Sequence, residues 1–189
     1  MGTNKLAIGL LAGCVMAGAV STKAIAQTPA QLDYLSEASG IPEAGLEVLQ
    51  TLDMPVAIPT YMPNYMYFSQ LELEFSDWGG MTYRILYEGL NEESLEVLCL
   101  TIEGTNDGIG GLPSGDRSYV VNHEMYGRDT IEEGLYGESV IPTLLGNWLG
   151  QGMGYYRFVG AGIYDGYSEC NNVATDEAIA ISESLRPLP

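Results

Sequence analysis

LELEFSDWGGMTYRILYEGLNEESLEVLCLTI, residues 71–102, decides the fold. Leu71, Leu73 and Phe75 alternate with Glu72 and Glu74. That period of two sends alternate side chains to opposite faces and predicts a strand with one dry and one wet side. Trp78-Gly79-Gly80 supplies a turn, and MTYRILY, residues 81–87, returns with Tyr83, Ile85 and Tyr87 on one side. Gly89, Asn91 and the glutamates after them mark a second turn. SLEVLCLTI, residues 94–102, is apolar on both faces, as expected of a central strand covered on each side. Short connections between successive strands imply antiparallel pairing.

Outward from this core, glycine-rich turns separate further strands expected at 118–126, 130–136 and 155–163. Upstream, Thr28-Pro29-Ala30-Gln31 has the features of a helix start, with Leu32, Leu35 and Ser39 at helical spacing and Gly40 as a stop. A second helix is expected from Pro42, with Leu46, Leu49 and Leu52 on one face. Gly45 weakens it by about 1 kcal/mol. MPVAIPTYMPNYM, residues 54–66, carries three prolines and reads as an extended linker with no regular element. At the other end Thr175 is a candidate cap, Asp176 and Glu177 suit a positive first turn, and Ala178, Ile181, Ser182 and Leu185 share a face. Arg186 suits the negative end of that helix, and Pro187 stops it. The expected architecture is α+β: an antiparallel sheet with a C-terminal helix packed on it and a short N-terminal helical segment. The expected division is a signal peptide at 1–26, the helical segment at 27–54 and the α+β domain at 55–189.

The leader argues for export. LAIGLLAGCVMAGAV, residues 6–20, is too short for a spanning helix of roughly twenty residues. Ala24-Ile25-Ala26 follows with the small-x-small pattern of a signal-peptidase site, so Gln27 is the expected mature start. Leu11-Ala12-Gly13-Cys14 also matches a lipobox, which makes lipid anchoring at Cys14 the alternative. Either route places the protein in the periplasm or outside the cell, and no later stretch is long and apolar enough to span a membrane.

The formal net charge is −18, from 25 acidic and seven basic residues. Two of the seven, Lys5 and Lys23, lie in the leader, so the rest of the chain has five arginines and no lysine. A field of that sign repels phosphate backbones and anionic headgroups and excludes nucleic-acid binding. In an oxidising compartment Cys99 and Cys170 are expected to form a disulfide closing a loop of about seventy residues, worth at most roughly 4 kcal/mol.

Chemical motifs are sparse. EGTNDGIGGLPSGDRS, residues 103–118, is the leading candidate loop, with Glu103, Asn106, Asp107, Gly108, Gly110, Gly111 and Asp116. A phosphate cradle needs a lysine or a following helix, and Pro113 and Gly115 preclude the helix. The oxygens suit calcium but not the spacing of an EF-hand, and no metal or cofactor is assigned. No nucleophile elbow exists: Gly166-Tyr167-Ser168-Glu169-Cys170 lacks the second glycine. The single histidine, His123, cannot make a histidine pair for zinc. Trp148, Tyr155, Tyr156 and Tyr164 are candidates for an aromatic platform that stacks sugar rings or peptide.

TYRILYEG, LEVLCLTIEGTNDGIGGLP, Trp148 followed by YYRFVG, Cys170 and the closing DEAIAISESLRPL together resemble a group of uncharacterised secreted proteins of cyanobacteria, over residues 55–188. The Pro-Thr-Tyr-Met-Pro run at 59–63 and the SESLRPL ending are similar to an uncharacterised domain of bacterial lipoproteins and anti-sigma-type proteins. Neither resemblance implies an activity or a functional residue; both imply an envelope location. The expected function is a non-enzymatic secreted or cell-envelope protein that binds or senses a partner, such as an envelope protein or a glycan. The alternatives are a carboxylate-using glycan hydrolase and a calcium-stabilised structural module.

Overall fold

A computed structural model describes residues 29–110, 113–137, 139–150, 154–164 and 169–188. The signal segment with Cys14 and Ala26, the Thr28 cap, Gly111 and the Gly166–Ser168 stretch lie outside the described residues.

Two helices open the described chain, α1 (Pro29–Ser39) and α2 (Glu43–Gln50). Ten strands and a third helix follow. These are β1 (Ala57–Pro59), β2 (Met66–Phe75), β3 (Met81–Asn91), β4 (Glu96–Thr105), β5 (Arg117–His123), β6 (Gly127–Gly134), β7 (Thr143–Gly146), β8 (Leu149–Gly150), β9 (Tyr155–Val159), α3 (Thr175–Glu183) and β10 (Leu185–Pro187). The main sheet runs β2-β3-β4-β9-β7-β6-β5, with β8 paired to β9, and every pairing within it is antiparallel. Two meanders, β2–β4 and β5–β7, are thus joined side by side through β9. The segment between β4 and β5 carries the chain from the middle of the sheet to its far edge.

The alternation in the sequence separates two faces. Tyr83, Ile85 and Tyr87 of β3, Leu98, Leu100 and Ile102 of β4, and Tyr156 and Phe158 of β9 are buried in one core with Val121, Ile131 and Leu144. Ala178 and Ile181 of α3 and Ile41, Leu46 and Leu49 of the N-terminal helices join it. Glu183 of α3 accepts the Asn122 N–H at 2.8 Å, tying the helix to β5. The opposite face carries Thr82 and Arg84 of β3, Cys99, Thr101, Glu103 and Thr105 of β4, and Arg157 of β9.

Several elements depart from the expectation. The proline-rich 54–66 segment is not devoid of regular structure, because Ala57–Pro59 pairs with Leu185–Pro187 as a separate two-stranded ribbon. Burial explains it: Ala57 and Ile58 are fully enclosed, and the buried Tyr83 hydroxyl accepts the Ala57 N–H at 2.7 Å. The final helix accordingly stops at Glu183, and Leu185 belongs to a strand rather than to the helix. Thr175 is the first residue of α3; Ala174 occupies the cap and makes no side-chain bond. Phe75 ends its strand 67% exposed, past the edge of the core its alternation points toward.

Candidate functional site

The second face of the sheet holds a row of charge. Glu72, Arg84, Glu103 and Arg157 stand directly opposite one another across β2, β3, β4 and β9. Strand register alone therefore fixes the order minus, plus, minus, plus. Glu103 is only 5% exposed. Arg84 donates its Nε–H to Glu103 Oε1 at 3.3 Å, and Arg157 donates from Nε at 3.0 Å and is paired through Nη2 at 2.9 Å to Oε2. Arg84 also reaches Glu74 through Nη1 at 3.1 Å. Both oxygens of the buried carboxylate are thus satisfied by charge-assisted bonds, the condition under which a buried ion is tolerated.

Aromatic rings flank the two arginines. The Arg157 guanidinium lies 4.0 Å from the Trp148 ring centroid, and that of Arg84 lies 4.6 Å from the Tyr164 ring. Both are cation–π distances. Burial, and after it the nearby Glu103 carboxylate, push the Tyr164 phenol upward and hold it protonated. Its hydroxyl, beside Glu103, and the Trp148 Nε1–H are both closed to solvent.

Arg84 and Glu103 of this row form the floor of an open basin of about 440 Å³. Glu74, Ser76 and Gly80 line it from the β2–β3 hairpin, Thr82, Arg84, Glu103 and Thr105 from the sheet, and Asp107, Gly108 and Trp148 from the loops. The turn after β4 is locked to the hairpin. Met81 donates its N–H to Asn106 Oδ1 at 2.7 Å and accepts the Asn106 N–H at 3.1 Å. The Asp107 N–H is bonded to Thr105 Oγ1 at 3.0 Å. The Asp107 side chain lies against Gly80, where a Cβ would meet its carboxyl group and displace it.

The structure divides the candidate residues. Glu103 sits inside β4 rather than in the loop, while Asn106, Asp107 and Gly108 begin the connection at the basin rim. Gly110 is exposed further along, and Asp116 is bonded through its N–H to Glu133 O at 2.8 Å beside β6. Among the described residues no group of three or more His, Cys, Asp or Glu side chains is placed to hold a metal ion. Trp148 and Tyr164 meet at the charge row. Tyr155 pairs with Thr105, two positions from Arg157 along β9, and shares the face of Arg157 by alternation. Tyr156 points to the core instead, buried and edge-on to Tyr126 at 5.7 Å. It lines a smaller hollow with Met125 and Pro187. Cys99 and Cys170 are bonded, with Cα atoms 5.8 Å apart, and fix β4 to the segment before α3. Sequence reasoning missed Arg84 and Arg157. The available signal was two of five arginines standing inside otherwise apolar strands, TYRILY and YYRFV.

No protein-family model, curated protein or solved structure matches this chain. Among the described residues no helix is long and apolar enough to cross a membrane.

Proposed function

We propose that this protein is an exported, disulfide-stapled binding module without catalytic activity, and that its ligand site is the basin over the Arg84–Glu103–Arg157 triad. The observation that carries this reading is the buried charge row at the floor of an open cavity. Apolar residues of similar volume would stabilise a sheet face about as well as a buried ion network, so its placement beneath a basin argues for recognition. Binding is favoured over hydrolysis because both Glu103 oxygens are taken up by guanidiniums. Paired on both sides, the carboxylate is held as a structural counter-ion, which disfavours it as a nucleophile or general base. Glu74, Glu103 and Asp107 outnumber the single arginine lining the basin, so the ligand is a neutral or cationic polar molecule rather than an anion. The apolar leader and the Cys99–Cys170 bond support export.

The test is a thermal-shift screen of the exported protein against small polar metabolites, with mass spectrometry of each mixture. The expected result is a concentration-dependent rise in melting temperature, as for any ligand that binds only the native state. That rise should be lost in Asp107→Asn, with no conversion of the ligand. A product that accumulates in proportion to enzyme would establish the hydrolase alternative instead. Intact mass of the exported protein is expected to correspond to a chain beginning at Gln27; a diacylglyceryl adduct at Cys14 would assign a lipoprotein.

A further inference from the structure

The hairpin that walls the basin ends in an aromatic side chain that the fold does not use. Trp78 is 93% exposed, and Phe75 beside it stands largely in water. The turn is well braced. Ser76 donates its N–H to Gly80 O at 2.8 Å, Ser76 Oγ accepts the Gly80 N–H at 2.9 Å, and Gly79 adopts φ +84°. Ser76 and Gly80, the two ends of that turn, line the basin. An exposed indole ring is therefore carried on a braced turn whose two ends line the cavity.

We infer that the basin and the hairpin tip together form a site for a neutral hexopyranose oligosaccharide, with Trp78 as its outer stacking platform. This rests on the basin being the ligand site. The lining offers both acceptors and donors: the Glu74 and Asp107 carboxylates accept, Arg84 and the Ser76 hydroxyl donate, and the Thr82 hydroxyl, which donates to Thr105, accepts. Vicinal hydroxyls, each both donor and acceptor, are the groups that satisfy such a set. A pyranose ring adds an apolar C–H face, which matches an exposed indole. The basin volume lies within the range of small-molecule sites, and the tip stands beside it for a further ring. The excess of carboxylates disfavours uronic and sulfated sugars. The chain's charge of −18 likewise disfavours an anionic membrane as the partner of Trp78.

The experiment titrates the exported protein with maltohexaose, cellohexaose, laminarihexaose and mannohexaose, with hexagalacturonate and phosphatidylcholine vesicles as contrasts. Intrinsic fluorescence and calorimetry report binding. The expected result is saturable binding of at least one neutral hexasaccharide and none of hexagalacturonate. Affinity should fall about tenfold or more in Trp78→Ala, with melting temperature unchanged, and should also fall in Asp107→Asn. Wild-type affinity in Trp78→Ala with loss in Asp107→Asn overturns the stacking platform and leaves the basin as the ligand site. Loss in Trp78→Ala with wild-type affinity in Asp107→Asn places the sugar on the tip alone and overturns the basin itself. Failure of all four hexasaccharides overturns the saccharide assignment, as does Trp78-dependent vesicle binding in their place; a basin ligand found in the metabolite screen would then still sustain the binding reading.

Discussion

Glu103 is the residue on which the second face of the sheet depends. Removing it strips Arg157 of its paired carboxylate and leaves Arg84 with only the more exposed Glu74 and Glu72. Glu103→Ala is expected to cost about 3–5 kcal/mol by urea denaturation, whereas truncating exposed Glu93 should cost nothing measurable. Tyr87 gives the opposite sign. Its hydroxyl is buried without a hydrogen bond, and burial alone raises its pKa. Tyr87→Phe removes an unsatisfied polar group while keeping the ring, and stability is expected to rise by about 1 kcal/mol. His123 supplies a pH dependence. Burial lowers its pKa from the ordinary 6.5, opposed by Asp129 and Glu183 and aided by Arg186. A depressed pKa means the unfolded chain binds the proton more readily. The stability from neutral His123 is therefore full above pH 6.5 and is lost as pH falls through the lower folded value. Comparing wild type with His123→Asn between pH 7 and 5 should show that slope in the wild type only.

At the scale of elements, the disulfide and the terminal ribbon close the fold. Cys99 and Cys170 are 71 residues apart, and their bond removes about 4 kcal/mol of unfolded-state chain entropy. The double variant Cys99→Ala/Cys170→Ala is expected to lose up to about that amount, read from chemical denaturation. The sequence made the hairpins between 71 and 102 legible because period two and glycine turns both point to them. It did not reveal β1 and β10, since a three-residue strand containing proline acquires its identity only from a partner 128 residues away, as in the Ile58–Arg186 pair. TLLG at 143–146 was equally silent: four residues are too few to show a period, and their pairing to β6 and β9 is set by tertiary contacts. The same limit hid the candidate site. Asn106, Asp107 and Gly108 were visible as a polar loop, but Arg84 and Arg157 become neighbours of Glu103 only through strand register.

For the whole molecule, 25 acidic residues in 189 create a self-repelling surface. Raising the salt from about 0.01 M to about 0.15 M shortens the screening length from ~30 to ~8 Å. The melting temperature is expected to rise with that change, because the surface carboxylates are screened while the buried Arg84–Glu103–Arg157 pairs are shielded from the salt. The most direct measurement of the basin as the binding site is the NMR spectrum of the five arginine Nε–H groups, followed while a ligand from the hexasaccharide or metabolite panel is titrated to saturation. The resonances of Arg84 and Arg157 are predicted to shift together while those of Arg117, Arg128 and Arg186 stay in place. Saturable binding that leaves Arg84 and Arg157 unmoved would contradict the account.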